Sequence, residues 1–504
     1  MDFSSINSPP DSANGLLHVE MTSGTSSSIP FSPSPSSVTP QHPKVHASLS
    51  LTVGNFLNSI VGAGIIGIPF SLRHTGLLAG LFLLVLVGYL TAFSVKLIIG
   101  LGRQLECDNY ESLAMKIFGR RGFTTVSLFM ALLGFGAMIA YMVVIGDVVP
   151  HLLGVEKSTT ARVMSIIVVS ATTMLPLALL KSMASLSFTS SASVLADLVL
   201  VIIVIFASPV GESVSSAGGF WTVLGSSIIR PSTLFSGVGA MSFAFVCQHS
   251  SFIVASSLEN PTQERWGRVT DISVGSATIM CGLLGLFGYL GFLDETEGDI
   301  LNNFAQSGGR IVSFARFLLA MTMIFTYPME SFVARHAILV VMYDEDVANE
   351  LPRNLRVGTT LGLFFAALIL AVVFGDLGVI LELTGAVSAS FLGYIFPASM
   401  AICVRWPELE SAMIQAKLEN HFSTFLLRKL HSLSLLDNDN DNDQSLKESA
   451  SDPHTSTGRS NSSENAAVPV EINGVVASFT GFWLLFFMLG FGLMAMLVGT
   501  IQIF

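Results

Sequence analysis

From Leu51 onward one pattern recurs: an apolar run of bilayer-spanning length, a short link, and another such run. Crossing the hydrocarbon core as a helix takes ~20 apolar residues. Runs near that length lie at about 50–71, 76–101, 123–149, 161–180, 186–208, 233–257, 270–293, 311–341, 357–375, 378–403 and 475–503. The predicted fold class is therefore all-α, a polytopic membrane bundle of about 11 transmembrane helices. Composition agrees, since only 12% of the residues are charged against roughly 25% in an ordinary soluble chain. The 44 glycines fit as well, because glycine is commoner in membrane helices than in soluble ones.

The links set an orientation. Those after even-numbered runs hold Arg103, Lys116, Arg120, Arg121, Lys181, Arg265, Arg268, Arg335, Arg353, Arg356 and Arg405. The opposite links hold Arg73, Lys157, Arg162, Arg230 and Arg310, together with the acidic stretch 294–299. Positive charge marks the cytoplasmic side, so the N-terminus is expected in the cytoplasm. Four segments follow: a Ser/Pro-rich, disordered cytoplasmic tail over 1–48, a ten-helix core over 49–404, a largely disordered cytoplasmic insertion over 405–472 and an eleventh transmembrane helix over 473–504. The tail has no basic flank followed by an apolar core, so it is not read as a secretory signal. The insertion opens on a candidate interfacial amphipathic helix. Its sequon at Asn461 is expected to stay unmodified on the cytoplasmic side.

Several chemistries are set aside. A net charge of −11 argues against nucleic acid as a partner, which calls for a basic stripe or patch. Cys107, Cys247, Cys281 and Cys403 are scattered without metal or redox spacing, and read as reduced packing residues. The run Asp437, Asp439, Asp441, Asp443 and Glu448 has calcium-loop spacing, but Asn442 stands where the sharp turn needs Gly. A solvated acidic linker is the better reading, and no cofactor is expected. No nucleophile–base pair or phosphate loop stands out, so the chain is read as not an enzyme.

Two of the runs are interrupted. The first reads NFLNSIVGAGIIGIPF, with Gly62, Gly64, Gly67 and Pro69 inside it. The sixth reads FSGVGAMSFAFVCQHSSF, with Gly237 and Gly239 followed by a polar Gln248-His249 pair. Gly and Pro weaken helix continuity, and free backbone at membrane depth is tolerated only where it lines a cavity or finds a partner. Runs one and six stand five apart, as equivalent members of two five-helix repeats. Such a matched pair points to the binding site of a secondary transporter, although glycines also allow plain close packing. Freed N–H groups and a helix dipole suit a carboxylate, and freed carbonyls suit an ammonium group or small cation. A free amino acid carries both.

The stretch NSIVGAGIIGIPF (58–70) resembles the first helix of sodium-coupled neutral amino acid transporters of the amino acid/auxin permease superfamily. MSFAFVCQHSSFIVASSLENPT (241–262), FTYPMESFVARHAI (325–338) and GVILELTGAV (378–387) are similar to further family motifs, including those of the vacuolar-type relatives. The resemblance implies a LeuT-type fold, a 5+5 inverted repeat plus one C-terminal helix. It implies substrate-binding residues at Gly62, Ala63, Gly64, Tyr141, Ser242, Phe243, Phe245 and Cys247. It implies a sodium site at Asn58, the carbonyl of Val61, Thr322 and Thr326, which supply the hard oxygens Na⁺ requires, with Na⁺ a co-transported ion.

Bland readings stand beside these. Asn58 is able simply to bond a neighbouring helix, Thr322 to back-bond to its own, and Tyr141 to pack with a satisfied hydroxyl. Gln248-His249 either gates the site or stabilises the broken backbone. Intramembrane acids are costly and thus informative. Asp197 is the candidate for proton coupling, Glu330 is expected near Arg335, Glu382 is expected to pair with backbone or a polar group, and Asp147 to lie at the interface. The expected function is sodium-coupled, secondary-active transport of neutral amino acids by alternating access around the two broken helices. The alternatives are an amino-acid sensor signalling through its tails and a proton-coupled vacuolar or lysosomal transporter. A monomer in the plasma membrane or a lysosomal or vacuolar membrane is expected, with the lipid bilayer, the amino acid and Na⁺ or H⁺ as partners.

Overall fold

The computed structural model describes residues 47–155, 158–180, 189–304, 309–343, 352–405 and 472–503. The tail through residue 46 and the insertion from 406 to 471, with its expected interfacial helix, acidic run and sequon, lie outside the described residues. Within them, every regular element is helical, and Ala47 and Leu258 form an isolated bridge. Nine helices are long and apolar enough to cross a membrane, and two bent helix pairs bring the number to as many as 11.

In chain order, span 1 comprises Leu49–Ile60, a 3-10 turn over Ala63–Gly67, and Ile68–Thr75. Span 2 is Leu77–Gln104, span 3 Tyr110–Leu152, span 4 Thr159–Ala178 and span 5 Thr189–Ala207. Span 6 comprises Leu234–Phe245 and Gln248–Ser257, and span 7 is Gln263–Phe292. Span 8 is Gly309–Tyr343, span 9 Arg353–Val373, span 10 Leu377–Arg405 and span 11 Ile472–Ile503. The two interruptions fall in spans 1 and 6, five apart.

Span 3 starts well before the apolar run expected at 123. Its polar first turns form because Asn109 caps them: the Asn109 side chain accepts from the Ser112 N–H at 2.6 Å in a capping box. Gly119, at φ +66°, then kinks the chain into the membrane-spanning part. Lys116 and Arg120, expected in a loop, therefore lie on helical turns. Hydropathy does not register such a segment, because its helicity comes from caps.

Most buried side chains are apolar or aromatic, Trp266, Tyr327 and Phe245 among the largest, while Phe82, Phe206 and Trp483 stand on the outside. An outer face this apolar fits hydrocarbon and would be unfavourable in water. Spans 3 and 8 pack most extensively, and glycines let the backbones meet. A Cβ on Gly134 of span 3 would lie 2.8 Å from the Glu330 carbonyl oxygen of span 8. A Cβ on Gly385 of span 10 would lie 1.8 Å from the Gly239 oxygen of span 6. Span 10 also carries two π-helical turns, Gly385–Ala389 and Phe391–Ile395. Such turns are rare and gather at functional sites.

Candidate functional site

In span 1 the helix stops at Ile60. Val61 is extended (φ −87°, ψ 97°) and Gly62 leaves helical geometry altogether (φ −126°, ψ −144°). In span 6 it stops at Phe245, with Val246 extended (φ −71°, ψ 115°) and Cys247 at φ −139°, ψ 7°. The two breaks touch: a Cβ on Gly64 would stand 2.5 Å from the Ala244 Cα. No side chain fits between these backbones.

The span 6 break is held by its own polar residues. Gln248 Oε1 accepts from the Cys247 N–H at 3.1 Å, and Gln248 Nε2 donates to Ser94 Oγ of span 2 at 3.3 Å. The Cys247 carbonyl accepts from the Ser250 hydroxyl at 3.0 Å. Gln248 is fully buried and so serves the broken backbone, the second of the two roles considered for it.

A cavity of about 50 Å³ lies against both breaks. By the same measure a water takes ~10–15 Å³, so the space matches a few waters or one compact solute. Its walls include Asn58, Gly62 and Gly64 of span 1, Tyr141 of span 3, Phe243 and His249 of span 6, and Thr326 and Glu330 of span 8. A Cβ on Gly62 would lie 3.6 Å from the Tyr141 hydroxyl, so span 3 faces the span 1 break directly. Asn58 precedes the first break, and His249 and Glu330 sit in the matching halves of spans 6 and 8. The cavity thus lies toward the face from which span 1 enters.

The remaining candidates face elsewhere or lie behind this wall. Ser242 accepts from the Tyr394 hydroxyl of span 10 at 3.4 Å. Phe245 is fully buried with its ring beside Gly88 of span 2, and Cys247 is buried in the break itself. The backbone of Ala63 opens the 3-10 turn, and its side chain is outside the described ones. Val61 is buried, and its N–H closes the first half-helix on the Leu57 oxygen at 2.8 Å. Thr322 and Thr326 both back-bond, to Leu318 O at 3.1 Å and Thr322 O at 2.5 Å, and of the two Thr326 lines the cavity.

Leu133 and Ala137 line it too. Spaced by four with Tyr141, they share one helix face, which is the signal that would have found them. His249 has a buried Nδ1 without a hydrogen-bond partner. Asp197, on span 5 packed against spans 1, 7 and 8, is buried with an unpartnered Oδ2 and does not line the cavity. Arg335 does not pair with Glu330: its Nη1 donates to Ala178 O at 3.2 Å and Thr360 Oγ1 at 2.9 Å. A helix turn and a half separates the two residues, and the guanidinium reaches toward spans 4 and 9.

The opposite face is closed over the breaks. Glu382 of span 10 meets His74 at the end of span 1, Oε1 to Nδ1 at 2.6 Å, so its expected partner in the bundle is an imidazole. Arg73 Nη1 donates to Thr296 O at 2.9 Å, joining span 1 to the link before span 8. Asp147 is buried and ion-paired: Arg162 of span 4 holds it through Nε at 2.7 Å and reaches Gly375 O through Nη2 at 2.8 Å. Of these groups, Arg73, Asp147 and Arg162 line a cavity of about 620 Å³ on this face, with Glu297, Asp299 and Asp376. Burial, followed by the nearby Asp147 carboxylate, raises the Asp299 carboxyl from 3.8 to about 7, against the Leu301 N–H and Arg316.

The family profile described as transmembrane amino acid transporter protein matches residues 46–426. The protein of Danio rerio named "Putative sodium-coupled neutral amino acid transporter 11" is 33% identical over 360 residues, covering 70% of this chain and 78% of the relative. Its Rattus norvegicus namesake is 34% identical over 360 residues, covering 70% and 77%. Vacuolar amino acid transporter 2 of Saccharomyces cerevisiae is 29% identical over 373 residues, covering 70% and 75%. Among solved structures, a closed nucleobase-cation-symport-1 family transporter aligns at TM-score 0.49 and 13% identity, covering 74% of this chain and 82% of the other. A substrate-bound, outward-open Na⁺-coupled sialic acid symporter aligns at TM-score 0.47 and 11% identity, covering 71% and 79%.

Proposed function

The chain belongs to the transmembrane amino acid transporter protein family, and from that premise we propose that it moves neutral amino acids across its membrane by Na⁺-coupled secondary-active transport. The observation that carries this reading is the cavity wedged between the two touching breaks. In it the amino acid's carboxylate meets backbone N–H groups at the start of the second half-helix of span 1, the positive end of a helix dipole. Its ammonium group meets the carbonyl left free at Val246. Tyr141 adds a hydroxyl above Gly62, and Phe243 an apolar wall. Na⁺ is assigned to Asn58, the Val61 carbonyl and the hydroxyls of Thr326 and Thr322. The limited space of about 50 Å³ favours compact side chains.

Coupling follows if ion and substrate both favour the same closed arrangement of spans 1 and 6. In this reading residues 1–48 and 405–472 are cytoplasmic and flank the 49–404 core and the 473–504 helix. The central cavity then faces the cytoplasm, and the closed side faces out or into a lumen. The name of the yeast relative leaves a vacuolar or lysosomal membrane beside the plasma membrane. Proton drive is the second reading, favoured by Glu330 and His249 in the cavity wall.

The deciding experiment reconstitutes the full chain in liposomes and follows radiolabelled alanine, serine and glutamine under separate Na⁺ and pH gradients. Uptake that needs the Na⁺ gradient supports the proposal. Uptake driven by the pH gradient alone supports the second reading. Amino acid binding with no flux under either gradient would falsify transport and favour a sensor.

A further inference from the structure

The first half of span 6 begins at Leu234, and the opening N–H groups of a helix have no partner within it. The residue before it ordinarily supplies a cap. Thr233 does not: its hydroxyl donates to the His74 oxygen of span 1 at 2.7 Å. The cap comes instead from the far end of span 11. Gln502 Oε1 accepts from the Phe235 N–H at 2.9 Å and the Ser236 N–H at 3.1 Å. Gln502 Nε2 donates back to the Pro231 oxygen at 3.4 Å. One amide therefore grips the start of span 6 at three backbone atoms. One turn earlier on span 11, a Cβ on Gly499 would lie 2.9 Å from the Phe235 oxygen, so the two backbones are in contact.

This grip lies at one end of a half-helix whose other end is the Val246–Cys247 break. Separating span 11 from span 6 would strip partners from two opening N–H groups at once. At the break, by contrast, the helix is already interrupted, and the backbone groups of Cys247 are held by the side chains of Gln248 and Ser250. We propose that Gln502 is a positioning residue that fastens span 11 to the first half of span 6, so that the two travel as one body about the Val246–Cys247 hinge during transport. Span 11 is then part of the moving unit that frames the substrate site. This rests on the transport reading, and its test includes a measurement that does not.

In reconstituted protein, Ser232→Cys and Ile503→Cys are joined by a short, reductant-cleavable bis-thiol linker, and radiolabelled alanine uptake is followed. Flux is expected to persist in the tethered protein. A control tether between Arg73→Cys and Thr296→Cys, across the closed face, is expected to stop it until reductant is added. Reversible loss of flux with the 232–503 tether would overturn the proposal. Gln502→Ala is expected to raise KM about fivefold, the scale of a lost helix cap, with the maximal rate held. Gln502→Glu, which keeps an acceptor, should bring KM back. A fall in maximal rate alone, or no rescue, also overturns it. Independently of flux, amide hydrogen exchange over 231–237 should rise in Gln502→Ala. Exchange at the wild-type level there refutes the grip whatever the protein carries, whereas wild-type protein with no flux refutes transport alone.

Discussion

Gly64 stands where the two broken helices meet, with 2.5 Å between any added Cβ and the Ala244 Cα. Backbone cannot give way as a flexible side chain does, and forcing extra volume into tight packing costs ~1–3 kcal/mol or more. Gly64→Ala is expected to lower alanine uptake at least ~10-fold, the rate equivalent of ~1.4 kcal/mol, at normal membrane abundance. Tyr141 makes a gentler test, since its hydroxyl faces Gly62 across open space. Tyr141→Phe should raise KM about tenfold, as fits one hydrogen bond to a charged group at ~1.5–3 kcal/mol. Asn58→Ala should raise the Na⁺ concentration needed for half-maximal uptake. An unchanged Na⁺ dependence in that variant removes Asn58 from the ion site. None of these roles is visible from one residue type, because glycine, tyrosine and asparagine each have commoner duties in a membrane helix.

At the scale of elements, the described part of the link between spans 7 and 8 lies as a cover against the start of span 10. Gly298 there is so close to span 10 that a Cβ would lie 2.4 Å from the Gly378 nitrogen. Asp299 beside it is buried, with its carboxyl raised to about 7 in this closed arrangement by burial and then by Asp147. Glu297 acts in the same direction as Asp147, and Arg316 opposes them. Once the cover lifts, the carboxyl is solvated and returns toward its ordinary 3.8. The closed form therefore holds the proton more tightly than the open one. Protonation's stabilisation of closure is full below about pH 4, declines as pH rises toward 7, and is gone above about 7. Thiol labelling of Ser158→Cys, in the cavity of about 620 Å³ beside Asp299, should accelerate as pH rises through that window, after correction for thiol ionisation. Asp299→Asn should flatten the profile, and a profile unmoved by that change would clear Asp299 of the role.

At the scale of the molecule, the contacts are lopsided. Near the end of span 1, Arg73, His74 and Thr75 bond to neighbouring elements, while the central cavity lies toward its start. Under the proposed transport function this asymmetry is what one end state of an alternating-access cycle would have. In a background lacking Cys107 and Cys403, Ser59→Cys should react with a membrane-impermeant thiol reagent from the face bearing the start of span 1. It should be protected from the opposite face. Labelling from the opposite face alone would invert the assigned orientation.

Hydropathy alone determined that the chain is an all-helical membrane bundle and where nearly every span lies, because hydrocarbon leaves the backbone no other way to satisfy itself. The glycine and proline run likewise marked the break in span 1, whereas in span 6 Gly237 and Gly239 lie inside the intact Leu234–Phe245 helix and the break falls at Val246–Cys247, beside the polar Gln248-His249 pair. The early start of span 3 escaped, because a capping box and a kinked Gly119 act without an apolar signal. Partners across the bundle were beyond reach as well. Glu382 meets His74, some 300 residues away in the chain, at an ion-pair distance that only packing produces. Gln502 caps a helix begun 268 positions earlier. Which of the marked residues share one cavity was decided by helix rotation: Asn58, Tyr141, Phe243 and Thr326 turn inward, whereas Ser242 and Phe245 turn to spans 10 and 2. Rotation follows from side-chain packing between helices, and in spans apolar on nearly every face the one-dimensional pattern leaves it undetermined.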